Sequence, residues 1–268
     1  MGSYRTIELS DPQFEHDHLR LLTFKSPALA GRGDVTIFVP PGCEEREALP
    51  LILLLHGVYC SHWAWSLKGG AHLTALKLIG QNLIGPVVIA MPSDGLWGDG
   101  TGYVPHQSAD YERWIMEDVV GCVTEVLPCL GAQSELFIAG LSMGGYGALR
   151  LGARYARRVS GISGHSSLTH SDQLARFVEE PVAAGEASRG EDMHVLYWMK
   201  ENKEILPPLR FDCGTSDDLI EENRKLHRAL IAHDISHQYF EFEGDHSWPY
   251  WREHIKDTLL FFAGQHGK

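Results

Sequence analysis

The sequence predicts an α/β fold: a mostly parallel central sheet of about eight strands, helices on both faces, and a small cap-like insertion. Three observations predict it. Several short runs, such as Leu51-Ile52-Leu53-Leu54-Leu55, are apolar at every position, which suits strands buried on both faces. Segments of helical period separate these runs, and strand, helix, strand alternation implies a parallel sheet covered on both sides. The pentapeptide Gly140-Leu141-Ser142-Met143-Gly144 stands where one such strand meets the next helical segment.

In chain order, Leu19 to Lys25 and Asp34 to Pro40 are β-like runs around a turn segment with Pro27, Gly31 and Gly33, and are expected to pair as a hairpin. Pro50 to Leu55, Pro86 to Met91 and Ser134 to Ala139 are the continuous apolar strands. Val159 to Ser163, Leu209 to Cys213 and His237 to Phe242 complete the sheet. Helical periodicity runs over Ala71 to Gln81, Asp110 to Leu127, Gly144 to Tyr155, Ile220 to Ala232 and from about Tyr250 to Phe262. Residues 165-207 break this rhythm with charged clusters and helical fragments such as Asp192 to Lys203, and are expected to form the insertion within a single domain, 1-268.

At 268 residues and 44% hydrophobic content the chain can bury a full core. Its 35 acidic against 23 basic residues give a net charge of −12, which repels phosphate backbones and anionic lipid surfaces, so no nucleic-acid or membrane partner is expected. Met1 to Asp11 carries charges where a signal peptide needs an apolar stretch, and no run approaches the roughly 18 apolar residues of a membrane span. Five cysteines (Cys43, Cys60, Cys122, Cys129, Cys213) cannot all pair, and Cys122 and Cys129 lie too far apart along a helical pattern to bridge each other. None has zinc-site spacing. They are therefore expected to be unpaired thiols in a cytoplasmic protein, with no metal and no cofactor. Nothing in the sequence fixes or excludes a homo-oligomer.

Gly140-Leu141-Ser142-Met143-Gly144 matches G-x-S-x-G, whose small residues permit a cramped strand-to-helix turn that presents a serine. With 28 glycines in the chain the bare pattern is expected about 0.2 times by chance, so its setting matters more: it follows a buried run and opens a helix. A serine hydroxyl needs an adjacent base. The N–H of Met143, at the helix start, can face an oxyanion, and Val58, after the strand-ending His56-Gly57, can supply a second donor. His56 itself precedes the nucleophile and is expected to be structural.

Fifteen histidines make position decisive. Chain order in this fold is serine, acid, histidine, which selects His246 in the turn Glu243-Gly244-Asp245-His246-Ser247-Trp248. His233 and His237 are expected at the solvated entry of a strand; His227, His254, His266 and the histidines of the insertion are expected at the surface. For the acid, Asp217 and Asp218 both follow the strand Leu209 to Cys213, and one of them is expected to cap the next helix. Asp212, within the strand, should point away from the cleft or into the core.

Together, Gly140-Leu141-Ser142-Met143-Gly144-Gly145, His56-Gly57-Val58 and Gly244-Asp245-His246-Ser247-Trp248 resemble the putative esterase, or esterase D-like, family of α/β-hydrolases over roughly Leu19 to Phe262. That group includes tributyrin esterases, S-formylglutathione hydrolases, family 1 carbohydrate esterases and mycolyltransferases. The resemblance implies that the turn Cys213-Gly214-Thr215-Ser216-Asp217 carries the acid, selecting Asp217, and that Val58 and Met143 form the oxyanion hole. Met91-Pro92-Ser93-Asp94-Gly95-Leu96-Trp97 resembles the family's loop bordering the cleft.

The expected function is hydrolysis of small acyl or aryl esters, of acetyl or feruloyl type and free or carbohydrate-linked, by Ser142, His246 and Asp217. A thioesterase or acyltransferase would use the same residues, and a non-catalytic binding protein is the rival from another class. Tyr59, Trp63, Trp65, Trp97 and Trp248 lie beside the motif loops and are expected to line the substrate pocket or to pack in the core or at an edge, with Trp248, two after His246, touching the cleft or buttressing the histidine.

Overall fold

The computed structural model describes residues 4–180 and 190–267. Nine strands form one sheet: β1 (Arg5–Leu9), β2 (Leu19–Ser26), β3 (Gly31–Phe38), β4 (Leu51–Leu55), β5 (Val88–Pro92), β6 (Leu136–Leu141), β7 (Gly161–His165), β8 (Leu209–Gly214) and β9 (Gln238–Phe242). Their order is β1-β2-β3-β5-β4-β6-β7-β8-β9. The first four in that order pair antiparallel, and all pairs from β5 to β9 are parallel. The strand the sequence did not reveal is β1. Its five residues include Arg5 and Glu8, and its pairing with β2 slips register between them, as suits a blunted edge strand with little periodic signal.

The helices are α1 (Ala64–Leu67), α2 (Ala71–Gly80), α3 (Tyr111–Arg113), α4 (Val120–Val126), α5 (Met143–Arg154), α6 (Val195–Glu201), α7 (Ile220–Ala232) and α8 (Trp248–Ala263). A π-helical segment, Trp114–Val119, joins α3 to α4, so the periodic stretch expected over Asp110 to Leu127 is one continuous helical path with a widened middle.

The apolar runs behave as a parallel sheet requires. In β4, Leu51, Leu53 and Leu55 belong to one core with Val123 of α4, Leu149 of α5 and Leu226 of α7. Ile52 and Leu54 belong to the other, with Ala75 of α2 and Ile255 and Leu259 of α8. Successive side chains alternate faces, and helices cover both, so every position of β4 is buried.

Within the expected insertion 165-207, 181–189 lie outside the described residues. The remainder holds short 3-10 turns at Ser171–Arg176, Glu191–Met193 and Lys203–Ile205, and α6. The Val195 N–H donates to the Thr169 carbonyl at 3.1 Å, which ties the two arms of the segment together, and the Tyr146 hydroxyl of α5 donates to the Met193 carbonyl at 3.0 Å, which fastens the segment to α5.

The expectation of five unpaired thiols is corrected: Cys43 and Cys129 form a disulfide, leaving Cys60, Cys122 and Cys213 free among the described residues. The partners are 86 positions apart and meet because the segments preceding β4 and β6 run side by side; the Leu49 N–H also donates to the Cys129 carbonyl at 2.9 Å. Local spacing bears only on near neighbours such as Cys122 and Cys129 and carries no sign of this approach. The bridge removes the cysteines as support for a reducing compartment. Among the described residues no helix is long and apolar enough to cross a membrane.

Candidate active site

Ser142 stands between β6 and α5 at φ 53° and ψ −120°, a conformation rarely adopted by a residue bearing a Cβ. The flanking glycines make it sterically possible. A Cβ at Gly140 would lie 2.2 Å from the Gly144 carbonyl oxygen, and one at Gly144 would lie 2.3 Å from the Leu55 carbonyl oxygen. The pattern's small residues are thus required by backbone crossing backbone. The Ser142 N–H donates to the His165 carbonyl at 2.9 Å, and the Ser142 carbonyl accepts from Leu168 at 3.3 Å, so the loop after β7 grips the turn.

The structure brings together the three residues selected from distant segments. His246 Nε2 lies 3.0 Å from Ser142 Oγ, and His246 Nδ1 lies 3.0 and 2.9 Å from the two Asp217 carboxylate oxygens. A carboxylate only accepts, so Nδ1 carries the proton and Nε2 is free to receive the one on Ser142. The Asp217 side chain is wholly buried, whereas that of His246 keeps 23% exposure and so faces the opening. Burial pushes the Asp217 carboxyl up, but hydrogen bonding and charge from His246, the Leu219 N–H and the Ser166 hydroxyl outweigh it and hold the group below its ordinary range.

Spacing alone left Asp217 and Asp218 open; tertiary placement separates them. Asp218 is exposed, and its carbonyl accepts from Arg176 at 3.5 Å. Asp217 also takes the Leu219 N–H at 2.8 Å ahead of α7, so the helix-entry contact expected of one aspartate belongs to the buried one.

Among the described residues, no hydrogen bond is made by the N–H of Val58 or of Met143. Gly57 packs against Ser142, where a Cβ would lie 3.3 Å from that of the serine, so the Val58 loop runs directly beside the turn. His56 is structural, as expected: Nδ1 donates to the Gly57 carbonyl at 2.7 Å and Nε2 accepts the Asp94 N–H at 3.0 Å. Asp94 in turn takes the N–H groups of Leu96 and Thr101, which pins the loop after β5.

The aromatic residues expected at the pocket have diverse placements. Tyr59 is 66% exposed, and its hydroxyl donates to the Phe177 carbonyl. Trp97 is half-buried and packs edge-on against His106 at 4.7 Å. Trp63 lines a groove with Phe14, Leu19, Leu21 and Thr36 to which none of Ser142, His246 or Asp217 contributes. Trp65 is core, 1% exposed, with its indole N–H on the Leu55 carbonyl. Trp248 packs on Trp65 and Trp251, and it is Trp251 whose ring meets His246 edge-to-face at 5.1 Å. The role of buttressing the histidine, expected of Trp248, therefore falls to Trp251, because α8 turns residue 251 rather than 248 toward the turn.

Phe177, in the insertion, was not singled out from the sequence, yet its ring lies parallel to that of His246 at 6.0 Å. The Glu179 N–H donates to the Asp99 carboxylate at 3.0 Å and the Asp99 N–H to Glu180 at 3.1 Å, docking this strap on the loop after β5. No local pattern marks such a contact. Two histidines expected at the surface are buried instead. His165 is fully enclosed between Asp212 and Thr258, at 3.0 and 2.8 Å, and His254 stacks on Phe242 at 4.2 Å. Asp212 points inward, as expected, and pairs with Arg210 at 2.6 Å.

Known proteins share this arrangement of chain. The acetyl esterase of Caldicellulosiruptor saccharolyticus is 26% identical over 237 residues, 82% of this chain and 85% of that protein. A ferulic acid esterase structure superposes with a TM-score of 0.79 at 20% identity, covering 97% of this chain and 99% of that one. The S-formylglutathione hydrolase of Staphylococcus aureus does so at 0.77 and 17%, covering 96% and 99%. The model of the family described as Putative esterase matches residues 26–262, so the chain belongs to that family and is a hydrolase of carboxylic esters.

Proposed function

We propose that the protein is a serine carboxylesterase acting on small acyl or aryl esters of the acetyl or feruloyl type, through an acyl-enzyme on Ser142. The observation that carries this reading is the unbroken chain from Ser142 Oγ to His246 Nε2, at 3.0 Å, and from His246 Nδ1 to Asp217, at 2.9 Å. As the Ser142 oxygen attacks the ester carbonyl, its proton passes to Nε2, and Asp217 stabilises the imidazolium so formed. The free N–H groups of Val58 and Met143 take the negative charge that develops on the carbonyl oxygen; one such donor is worth about 10²- to 10³-fold in kcat. His246 then returns the proton to the departing alcohol. Water repeats the sequence in reverse on the acyl-enzyme and frees the acid.

The ring of Phe177 above His246 and the exposed ring of Tyr59 support an acyl or aryl group lodged between apolar walls. The names of the acetyl and ferulic acid esterase relatives support the same substrate class. The test is a hydrolysis profile over p-nitrophenyl acyl esters, feruloyl esters, acetylated xylan and S-formylglutathione, with fluorophosphonate labelling followed by peptide mapping. Acetyl or feruloyl turnover with the label on Ser142 is expected. A folded protein that takes no label, or one that turns over only the thioester, would overturn the reading.

A further inference from the structure

Tyr250 stands in the first turn of α8, is 4% exposed, and touches both segments that bring the acid and the histidine together. Its hydroxyl donates to Asp212 Oδ1 at 2.8 Å, an oxygen that also takes His165 Nδ1 at 3.0 Å. Burial, and then the charge of Asp212, push the phenol far above its ordinary range, so the hydroxyl remains a donor. Asp212 belongs to β8, and the turn that follows this strand carries Asp217. The ring of Tyr250 lies on Gly244, two residues before His246, where a Cβ would come within 2.6 Å of the ring carbon Cδ2. Gly244 also holds φ at +145°, so glycine is required there both by its backbone and by the ring. Gly244 meets the acid turn backbone to backbone: its carbonyl accepts the Ser216 N–H at 2.9 Å, and a Cβ at Gly214 would lie 2.4 Å from that oxygen. These contacts close a circuit. It runs from β8 to the acid turn, from the acid turn to Gly244, from Gly244 to the Tyr250 ring, and by the Tyr250 hydroxyl back to β8.

We propose that Tyr250 is a positioning residue for ester hydrolysis: tied to Asp212 by its hydroxyl and laid on Gly244 by its ring, it holds the His246 turn against the Asp217 turn. This rests on Ser142, His246 and Asp217 acting as proposed above. Cutting the circuit lets the His246 turn ease away from Asp217. The carboxylate then stabilises the imidazolium less, which lowers kcat and lets the neutral imidazole needed for attack persist to lower pH. The charged and titratable groups facing Tyr250 are Asp212, Arg210 and Cys213 of β8 and His254 of α8 itself, whose ring lies at 4.5 Å; His165 of β7 meets the same Asp212 carboxylate. None of them is hydrogen-bonded to His246, whose ring nitrogens meet only Asp217 and Ser142, so a change in the acidic limb reports the contact with Asp217.

The experiment compares Tyr250→Phe, Tyr250→Leu, Gly244→Ala and Thr258→Val with the parent enzyme in kcat, KM and the pH dependence of kcat/KM on p-nitrophenyl acetate, with melting temperatures alongside. Tyr250→Phe keeps the ring on Gly244 and loses the tie to Asp212. Its kcat is expected to fall about 10-fold with KM nearly unchanged, as for one hydrogen bond to a charged group, and its acidic limb to move downward by about half a pH unit. Tyr250→Leu loses hydroxyl and ring together and should fall about 100-fold. Gly244→Ala leaves the buried cluster intact but forces a Cβ into the ring, and should move the limb the same way. Thr258→Val removes the 2.8 Å bond to His165 Nε2, which belongs to the same cluster but in which Gly244 has no part. It should lower the melting temperature and leave the acidic limb in place. A limb that stays put in folded Tyr250→Phe and Gly244→Ala, or that moves equally in Thr258→Val, would overturn the proposal. Parent-like kcat in Tyr250→Phe would overturn it as well. Ser142→Ala is the control. If that variant hydrolyses the ester as the parent does, the proposed function fails; if it is inert while the Tyr250 variants match the parent, only the role of Tyr250 fails.

Discussion

Replacing Asp217 with asparagine should reduce kcat by about three to four orders of magnitude. The Asp217 carboxylate sits 2.9 Å from His246 Nδ1 with no exposure of its own side chain. A unit charge at about 3 Å in an effective dielectric near 20 interacts with an imidazolium by roughly 5 kcal/mol, close to four decades at about 1.4 kcal/mol each. The 23% exposure of His246 lets solvent recover part of this, which lowers the expectation to about 10³ to 10⁴. A tautomer effect acts in the same direction. The Leu219 N–H at 2.8 Å from Oδ1 holds the asparagine carbonyl in that place, which puts its amide NH₂ at the Oδ2 position, 2.9 Å from Nδ1. Wherever Nδ1 accepts from that NH₂, Nε2 carries the proton, and the base can no longer take one from Ser142. Asp218→Asn, at an exposed carboxylate whose backbone carbonyl alone meets Arg176, should change the rate less than about twofold. Initial rates on p-nitrophenyl acetate from pH 5 to 9, with melting temperatures as a folding control, measure both. Asp217→Asn retaining a tenth of the parent rate, or Asp218→Asn proving the more damaging, would refute the assignment.

Three further outcomes follow from the same geometry. Asp212 is wholly buried; burial raises its carboxyl, but His165, Arg210 and Tyr250 outweigh that and bring it from 3.8 to about 2. Its contribution to stability is therefore present above the unfolded value near 4 and is lost as pH falls toward 2; urea unfolding should show roughly 2 to 3 kcal/mol disappearing over that window, and an unchanged slope in Asp212→Asn would contradict this source. The Cys43–Cys129 bridge spans 86 positions, so Cys43→Ser with Cys129→Ser should lower unfolding free energy by up to about 4 to 5 kcal/mol. Catalysis at 25 °C should be spared, because the bridge precedes β4 and β6 while Ser142 follows β6; a selective loss of kcat with unchanged stability would argue otherwise. Phe177→Ala, which removes the ring stacked on His246, should raise KM for a feruloyl ester by about tenfold and for an acetyl ester much less; equal effects on both would deny the ring a part in substrate selection.

Local signals carried most of what could be foreseen. The strands β4, β5 and β6 were legible because burial on both faces leaves an apolar run with no alternation, and β1 was not, because a short charged edge strand leaves almost none. α5 and α7 begin and end within one residue of their expected bounds, since each presents a clear apolar face. The serine turn was legible for a steric reason, since only glycine tolerates carbonyl oxygens a little over 2 Å from where a Cβ would be, as at Gly140 and Gly144.

The sequence by itself determined the fold class and pointed to the segments that carry Ser142, Asp217 and His246, because helical and strand periods and a glycine-bound turn are written over a few adjacent residues. Tertiary structure alone decided which other side chains meet across those segments: Trp251 rather than Trp248 beside His246, Phe177 above it, Cys43 bonded to Cys129, and His165 enclosed with Asp212; it also sets Asp217 against His246, a choice that spacing left open and the resemblance made. Each of these depends on strand register and on the direction in which a helix or turn points one particular Cβ. A single residue of shift reverses that direction while leaving the local pattern of polar and apolar residues almost unchanged.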